Sequence, residues 1–339
     1  MKNTVFALFS MAAVCLFAAS ALFAQNASRP PADDVPPPAG YKPLALAESA
    51  ALQSVLDAAV AETVKKFAAK NLKAENIAVT AIDLSRGANA PRWASVRGEA
   101  RIYPASVVKM FYMAALENWL ERGRVKTTPE LERGLRDMIV DSSNEATQYI
   151  LDVLTGTSSG GEMPEEAFRA WAHRRNVVNR FYASMSYSNI NVNQKTFCED
   201  AYGVEQQFRN YRGENRNMIT TNATARLLAE IVTGRISTPE RTRRMMDLMK
   251  RDFSGATKDP DDQAHGFTGI ALIERKMTDA RLWSKAGWTS KTRHDAAYIE
   301  TADGRKLVIA VYTENFANER DVIPTVAGYV LDNLNKTGN

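Results

Sequence analysis

The chain has 339 residues, of which 45% are hydrophobic and 24% are charged. This is an ordinary globular composition with room for one large core or two sub-domains. Forty-three basic and 39 acidic residues give a net charge of +4, and the basic residues are scattered along the chain. Nucleic-acid binding therefore has little support, and we expect no nucleic-acid partner.

The N-terminus has the pattern of a secretory signal peptide. Lys2 gives a positive start, residues 5–22 are apolar, and small residues up to Ala24 offer cleavage points. An uncleaved membrane anchor is the alternative, since an apolar run of about 18 residues can span a bilayer. We expect residues 1–24 to be removed, which predicts a secreted or periplasmic protein without stable membrane insertion. Residues 25–43 are proline-rich and predict an extended linker.

Few side chains are available for disulfide or metal chemistry. Cys198 is the single cysteine that remains after cleavage, so no intrachain disulfide can form. The three histidines lie far apart without ligand spacing: His173, His265 and His294. We therefore expect neither a metal nor another cofactor.

The predicted elements begin with a helix over residues 44–69, where apolar residues repeat at helical spacing. Two strands and a helix from Ser106 to near Gly123 come next. Further helices are predicted over residues 129–140, 144–154, 164–175, 221–233 and 238–252. Three strands and a closing helix are predicted over residues 281–285, 295–301, 307–313 and 321–335.

Residues 176–217 are rich in Asn, Ser, Tyr and Gln and show no periodicity, which predicts a long functional loop. The order of elements predicts an α/β (α+β) sandwich. Its antiparallel sheet is built from both termini and flanked by helices, with an all-helical sub-domain inserted. We expect one monomeric domain over residues 44–339. Its sheet part comprises residues 44–101 and 275–339, and its helical part residues 102–274.

The stretch around Ser106 is the first candidate site. Ser106 and Lys109 are a polar pair inside an apolar run, and Pro104 suits the start of a helix. At this spacing both side chains share one helix face. Burial lowers the pKa of a lysine and lets it act as the base that a serine nucleophile needs. The alternative is a helix-capping serine beside a lysine that extends to the surface, because Ser-x-x-Lys is common by chance.

Two further polar sets follow. Ser142 and Asn144 lie between two predicted helices, where such residues are common at helix ends. Lys285 and Gly287 lie at the end of a predicted strand, where a glycine turn is the ordinary explanation. Each set taken alone favours the ordinary structural interpretation.

Taken together, Ser-x-x-Lys, Ser-x-Asn and Lys-x-Gly resemble, in order, the motifs of class A β-lactamases and penicillin-binding proteins. The resemblance extends from about Leu44 to the end of the chain and includes the order of elements. It implies that Ser106 is the acylated nucleophile and that Lys109 is its base or part of a proton relay. It also implies that Ser142 passes a proton to the leaving nitrogen and that Lys285 supports the relay.

The same resemblance implies substrate-binding roles. Asn144 would bind the side-chain amide of the substrate. Gly287 and Trp288 would also bind substrate, and the backbone N–H groups of Ser106 and Trp288 would form an oxyanion hole. Arg293 would anchor a substrate carboxylate.

Three departures from the family pattern matter. Ser143 stands where an acidic residue is usual. Ala286 replaces a hydroxyl residue, which removes one hydrogen bond to a substrate carboxylate, worth about 1 kcal/mol. Residues 180–194 correspond to the loop that carries the deacylating glutamate, and they contain no carboxylate. The acidic residues on either side cannot be assigned from sequence: Glu165, Glu166, Glu199, Asp200 and Glu205.

Three functions remain open. The first is a secreted serine β-lactamase that opens a β-lactam through an acyl-serine at Ser106. The second is a cell-wall D-Ala-D-Ala peptidase, transpeptidase or esterase. The third is a slowly deacylating protein that binds β-lactams or peptidoglycan. The missing glutamate favours the second or third, whereas the size of the chain and its class A-like strand favour the first. The expected partner is a small β-lactam or a cell-wall peptide.

Overall fold

A seven-stranded sheet forms the centre of the computed structural model, which describes residues 34–85, 91–213 and 215–334. In chain order the strands are β1 (Ala47–Glu48), β2 (Ile77–Asp83), β3 (Arg92–Val96), β4 (Lys250–Arg251), β5 (Arg281–Trp288), β6 (Thr292–Glu300) and β7 (Lys306–Glu314). Their spatial order is β1-β3-β2-β7-β6-β5-β4. All neighbours are antiparallel except β1, which runs parallel to β3. The predicted signal peptide lies outside the described residues.

Helices cover both faces of this sheet. They are α1 (Ala50–Lys66), α2 (Val108–Glu121), α3 (Pro129–Ile139), α4 (Asn144–Thr155), α5 (Glu165–Arg175), α6 (Val177–Ser184), α7 (Val204–Arg209), α8 (Thr221–Val232), α9 (Pro239–Met249), α10 (Thr268–Glu274) and α11 (Val322–Asn333). In the part of the chain that the structure describes, none of them is long and apolar enough to cross a membrane.

The pleat of the sheet separates two hydrophobic cores. Successive side chains of a strand point to opposite faces, so Ile77 and Val79 pack with α1 and α11, whereas Ala78 and Ile82 pack towards α2 and α8. The second face holds the larger core, and α2 runs through it with residues 108–120 all buried. The apolar sequence around Ser106 therefore predicts this burial correctly.

The predicted fold class is confirmed, with strands from both ends of the chain and helices between them. The edge strands β1 and β4 were not predicted, because two residues are too short to show a periodicity. The stretch 176–217 is not one continuous irregular loop, since it contains α6 and α7. The strands β5 and β6 are also longer than expected.

The described part of the predicted linker is packed on the domain. Val35 is buried, and the Tyr41 hydroxyl donates to both carboxylate oxygens of Glu230 at 2.8 and 2.9 Å. The backbone N–H of Leu44 donates to the same carboxylate at 3.0 Å. Glu230 is buried and also accepts from Tyr187 and Arg226, so its charge is compensated. Residues 34–46 are therefore fastened to α8 rather than free.

Candidate active site

The start of α2 lies against the end of β5. Ser106 occupies a 3₁₀ turn, Ala105–Val107, that leads directly into α2. A Cβ on Gly287 would lie 2.6 Å from the backbone nitrogen of Ser106 and 2.8 Å from that of Val107. The strand backbone can approach the helix start this closely only because residue 287 is glycine. The approach places Ser106 beside the strand end, next to Trp288.

A buried histidine fixes the segment before Ser106. The backbone N–H of Thr313 donates to His294 Nδ1 at 3.1 Å, so Nε2 carries the hydrogen and donates to the Tyr103 carbonyl at 2.9 Å. Burial lowers the pKa of His294 to about 4, so the ring is neutral near pH 7. His294 thus positions the chain that enters the helix.

Two site positions have backbone conformations that non-glycine residues rarely adopt. Ala105, directly before Ser106, has a φ of 47°, and Ser142 has a φ of 57°. Each such residue costs about 1 kcal/mol or more, and the surrounding structure must hold it in place. Ser143 supports the second by capping α4, where its hydroxyl accepts from the N–H of Ala146 at 3.0 Å. The helix cap is therefore Ser143, and the Ser142 side chain is left to face the site.

Lys109 is buried and bonded to the Ser-x-Asn segment. Its Nζ donates to Asn144 Oδ1 at 2.9 Å, to Ser142 Oγ at 3.3 Å and to the Ser142 carbonyl. Among the described residues, no side chain is hydrogen-bonded to Ser106 Oγ. A catalytic hydrogen bond often forms only with substrate bound, and Ser106 lies one turn before Lys109.

Lys285 reaches the same serine from the sheet. Its Nζ donates to Ser142 Oγ at 3.0 Å, to Gln263 Oε1 at 2.6 Å and to the Ala286 carbonyl at 2.8 Å. Ser142 Oγ therefore lies between two lysine amines that come from sequence positions 176 residues apart. The three predicted motifs meet here, which brings Ser106, Lys109, Ser142, Asn144 and Lys285 into one cluster.

Burial changes the acidity of both amines. It lowers the pKa of Lys109 to about 7, although the charges of Glu145 and Cys198 oppose the shift. Burial also lowers the pKa of Lys285 well below its usual range, and the positive charges of Lys109 and Arg251 add to the effect. With a pKa of about 7, a substantial fraction of Lys109 is neutral at physiological pH, which a base requires.

The pH dependence of acylation should report the state of Lys109. With a pKa of about 7, the neutral form should dominate above pH 7 and decrease about tenfold for each pH unit below it. We expect the second-order rate of acylation of Ser106 to rise with this profile and then to level off. Stopped-flow measurements between pH 5 and 9, with a β-lactam whose own charge is constant, would check it. A flat profile, or a rise only near pH 10, would contradict a neutral Lys109 base.

Two buried residues of the site were not predicted from sequence. Gln263 accepts from Lys285 and also donates its Nε2 to the Val140 carbonyl at 2.8 Å. Arg251 donates Nη2 to the Ser284 carbonyl at 2.9 Å and to Gln263 Oε1 at 3.4 Å. Gln263 thus ties Lys285 to the end of α3. No local pattern marks these residues, because Arg251 lies in the two-residue strand β4 and Gln263 in the irregular segment between β4 and α10.

Asn144 connects the cluster to an exposed surface. Its Oδ1 accepts from Lys109, and its Nδ2 donates to Cys198 Sγ at 3.4 Å. Cys198 is an exposed free thiol, and it also lies 3.9 Å from a carboxylate oxygen of Glu145. The amide N–H₂ group therefore points away from Lys109, towards the exposed Cys198.

The structure does not bring Arg293 into the cluster, which corrects the expectation of a free carboxylate anchor. Arg293 is 1% exposed, lies 2.7 Å from Asp261 and donates to the Gly266 carbonyl at 2.6 Å. Its neighbour His294 faces Tyr103, so the alternation of β6 places Arg293 on the other face of the sheet. An existing carboxylate partner already neutralises this guanidinium.

Most of the acidic residues considered as the base for deacylation are held in ion pairs with arginine or lysine side chains. Glu205 is buried, accepts from Arg175 at 2.7 and 2.8 Å, and lies 3.4 Å from Lys195. Asp200 is paired with Arg209, and Glu165 is paired with Arg169 at 2.7 Å on the surface. Glu199 lines a cavity of about 220 Å³ beside Tyr103.

The described residues offer no group of three or more His, Cys, Asp or Glu side chains that could hold a metal ion. What they bring together is a serine at a helix start, a second serine and two amines of lowered pKa. A serine nucleophile with a proton relay would need groups of these kinds. The fold and this cluster place the protein in the serine β-lactamase and penicillin-binding superfamily.

A family model described as the beta-lactamase enzyme family matches residues 120–333. The chain therefore belongs to this family. The match includes Ser142, Asn144 and Lys285, whereas Ser106 and Lys109 precede it. No curated protein sequence matches the chain.

Solved structures show the same fold at low sequence identity. A beta-lactamase from Sphaerobacter thermophilus is 20% identical, with a TM-score of 0.59, and the match covers 84% of this chain and 97% of that one. The protein PBP-A is 17% identical, with a TM-score of 0.58 and coverage of 87% and 99%. A beta-lactamase from Xanthomonas campestris is 15% identical, with a TM-score of 0.56 and coverage of 83% and 98%.

Proposed function

We propose that the protein is a secreted serine hydrolase that opens a β-lactam ring through an acyl-enzyme on Ser106. The observation that carries the proposal is Ser142 Oγ held between Lys109 and Lys285, beside α2 and the turn with Ser106 that leads into it. Export is supported by Lys2 and the apolar residues 5–22, and the expected location is the periplasm or the medium.

In the acylation step, neutral Lys109 accepts the hydroxyl proton of Ser106, and Ser106 Oγ attacks the carbonyl carbon of the lactam. The backbone N–H groups of Ser106 and Trp288 stabilise the oxyanion that develops, a contribution of about 3 kcal/mol for one such donor. When the C–N bond breaks, Ser142 Oγ gives a proton to the leaving nitrogen and regains one from the Lys109 ammonium. The net result moves one proton from Ser106 to nitrogen.

Substrate recognition follows from the groups that face the cluster. Asn144 Nδ2 would donate to the carbonyl of an acylamido side chain on the substrate. Burial disfavours the charged form of Lys285, Ala286 offers no hydroxyl, and Arg293 is bound to Asp261. We therefore infer that an anionic substrate is preferred only weakly.

A slowly deacylating penicillin-binding protein is the second candidate function. The acyl-serine must be hydrolysed by a water molecule, and that water needs a base within hydrogen-bond reach. The buried ion pairs of Glu205 and the pairing of Asp200 with Arg209 favour this candidate. A cell-wall peptidase, transpeptidase or esterase with the same acylation chemistry belongs to this alternative.

Intact-mass spectrometry after a short pulse of benzylpenicillin should separate these functions. We expect one adduct per protein, with the mass of the whole antibiotic added, located on Ser106. An adduct that disappears within seconds after the antibiotic is removed supports the hydrolase. An adduct that persists for many minutes supports the slowly deacylating protein. The absence of any adduct, together with no turnover, would contradict both.

A further inference from the structure

A large cavity opens at the edge of the sheet, away from Ser106. Its volume is about 600 Å³, within the range of roughly 300–1,000 Å³ that is usual for small-molecule sites. It lies between β4 with the following residues 252–255 on one side and α10 with residues 276–282 on the other. Apolar side chains form much of its lining: Phe253, Leu272, Ile273, Met277, Ala280 and Leu282.

The charged residues around this cavity are mainly basic. The lining includes Lys250, Lys276 and Arg281, and Asp252 is the one carboxylate among the described lining residues. Arg281 is paired with Glu300, whereas Lys250 and Lys276 have no ion pair within the described ranges. An apolar surface with an unpaired basic rim fits a ligand that has a hydrocarbon body and one negative group.

Arg251 adds a buried positive charge beside the cavity. It lines the cavity and is 8% exposed, and its Nε has no hydrogen-bond partner. Its Nη2 is already engaged, by the carbonyls of Ser284 and Ile139. The guanidinium itself is directed away from the cavity, so its contribution to a ligand there is the attraction of a nearby positive charge rather than a hydrogen bond. Burial lowers the pKa of Arg251 to about 10, so the group is still charged at pH 7.

We propose that this cavity is a binding site for an amphipathic monoanion, such as a medium-chain carboxylate. The carboxylate would lie at the rim near Lys250 and Lys276, and the hydrocarbon chain would cover the exposed parts of Phe253, Ile273 and Met277. The site is separate from the catalytic cluster, because none of its lining residues contributes a side chain to acylation. Arg251 lies between the cavity and the catalytic cluster, since its Nη2 donates to Gln263 Oε1.

Isothermal titration calorimetry of the full-length mature protein tests the proposal with three probes of equal chain length. Sodium octanoate should bind with one-to-one stoichiometry, and its affinity should fall as salt is added. Octanol should bind at least about tenfold more weakly, because it lacks the charge, and octylamine should not bind. Equal binding of all three probes, or no binding of octanoate, would overturn the proposal.

Two variants and one control variant test whether octanoate binds in this cavity. Lys276→Glu reverses the exposed rim charge and should weaken octanoate binding at least about tenfold. Ala280→Trp should fill the cavity and abolish binding. Lys126→Glu, an exposed charge reversal outside the cavity lining, should leave binding unchanged. Thermal melts would confirm that each variant is folded, and unchanged octanoate binding in folded Lys276→Glu would place the site elsewhere and refute the proposal.

Discussion

Covalent labelling by benzylpenicillin is expected to disappear when Ser106 is replaced by alanine. Ser106 lies in the 3₁₀ turn that leads into α2, directly after Ala105 with its φ of 47°, and Lys109, the base in the proposed mechanism, is held in α2 by Ser142 and Asn144. Removal of a nucleophile from a serine hydrolase lowers the rate by several orders of magnitude, so we expect a loss of more than about 10³-fold.

A matched control is Ser54→Ala, which removes an exposed serine of α1 and should label at the normal rate. Intact mass after the antibiotic pulse measures both variants, and a thermal melt shows whether each is folded. Labelling that persists in folded Ser106→Ala, on another residue, would remove Ser106 from the mechanism.

Slow deacylation is the second large expected effect. The region between α4 and α8 places amides, hydroxyls and Cys198 near the cluster. Its carboxylate Glu205 is ion-paired with Arg175 and Lys195. An asparagine side chain can position a water molecule but cannot take its proton near pH 7. We expect deacylation to be at least about tenfold slower than acylation, since a positioned base contributes about 10²-fold or more.

A pre-steady-state trace with a chromogenic cephalosporin should therefore show a burst close to one equivalent of enzyme, followed by a slow linear phase. Ser106→Ala provides the control, because it should show neither phase. Fast turnover without a burst would contradict slow deacylation. In that case alanine variants of Glu145, Glu199, Asp200 and Glu205 should reveal the base. Glu145 joins this set because its charge acts on Lys109.

The sequence predicted the central part of the site because its signals are local. A helix that is apolar on every side must be buried, and two polar residues three positions apart on it must face each other or a partner. The order of helices and strands could also be predicted from local patterns. The family resemblance then predicted that Lys109, Ser142 and Lys285 would meet in this fold. The structure now places these side chains within hydrogen-bond distance.

The parts that sequence reasoning missed depend on contacts between distant segments. Gln263 and Arg251 lie on irregular or two-residue elements, and their roles arise only because α3 and β5 pack on them. Arg293 follows the family pattern in sequence, but Asp261 and Arg320 determine its environment. A motif specifies which residue occupies a position, whereas the neighbours decide whether its charge is available.

The docking of residues 34–46 on α8 sets the length of any tether to a membrane. If the apolar residues 5–22 stayed in a bilayer, the eleven residues 23–33 would be the whole connection to the fastened segment. Eleven residues span at most about 40 Å when fully extended. An uncleaved protein would therefore reach only substrates close to the bilayer surface. The cleaved protein would diffuse freely through the compartment.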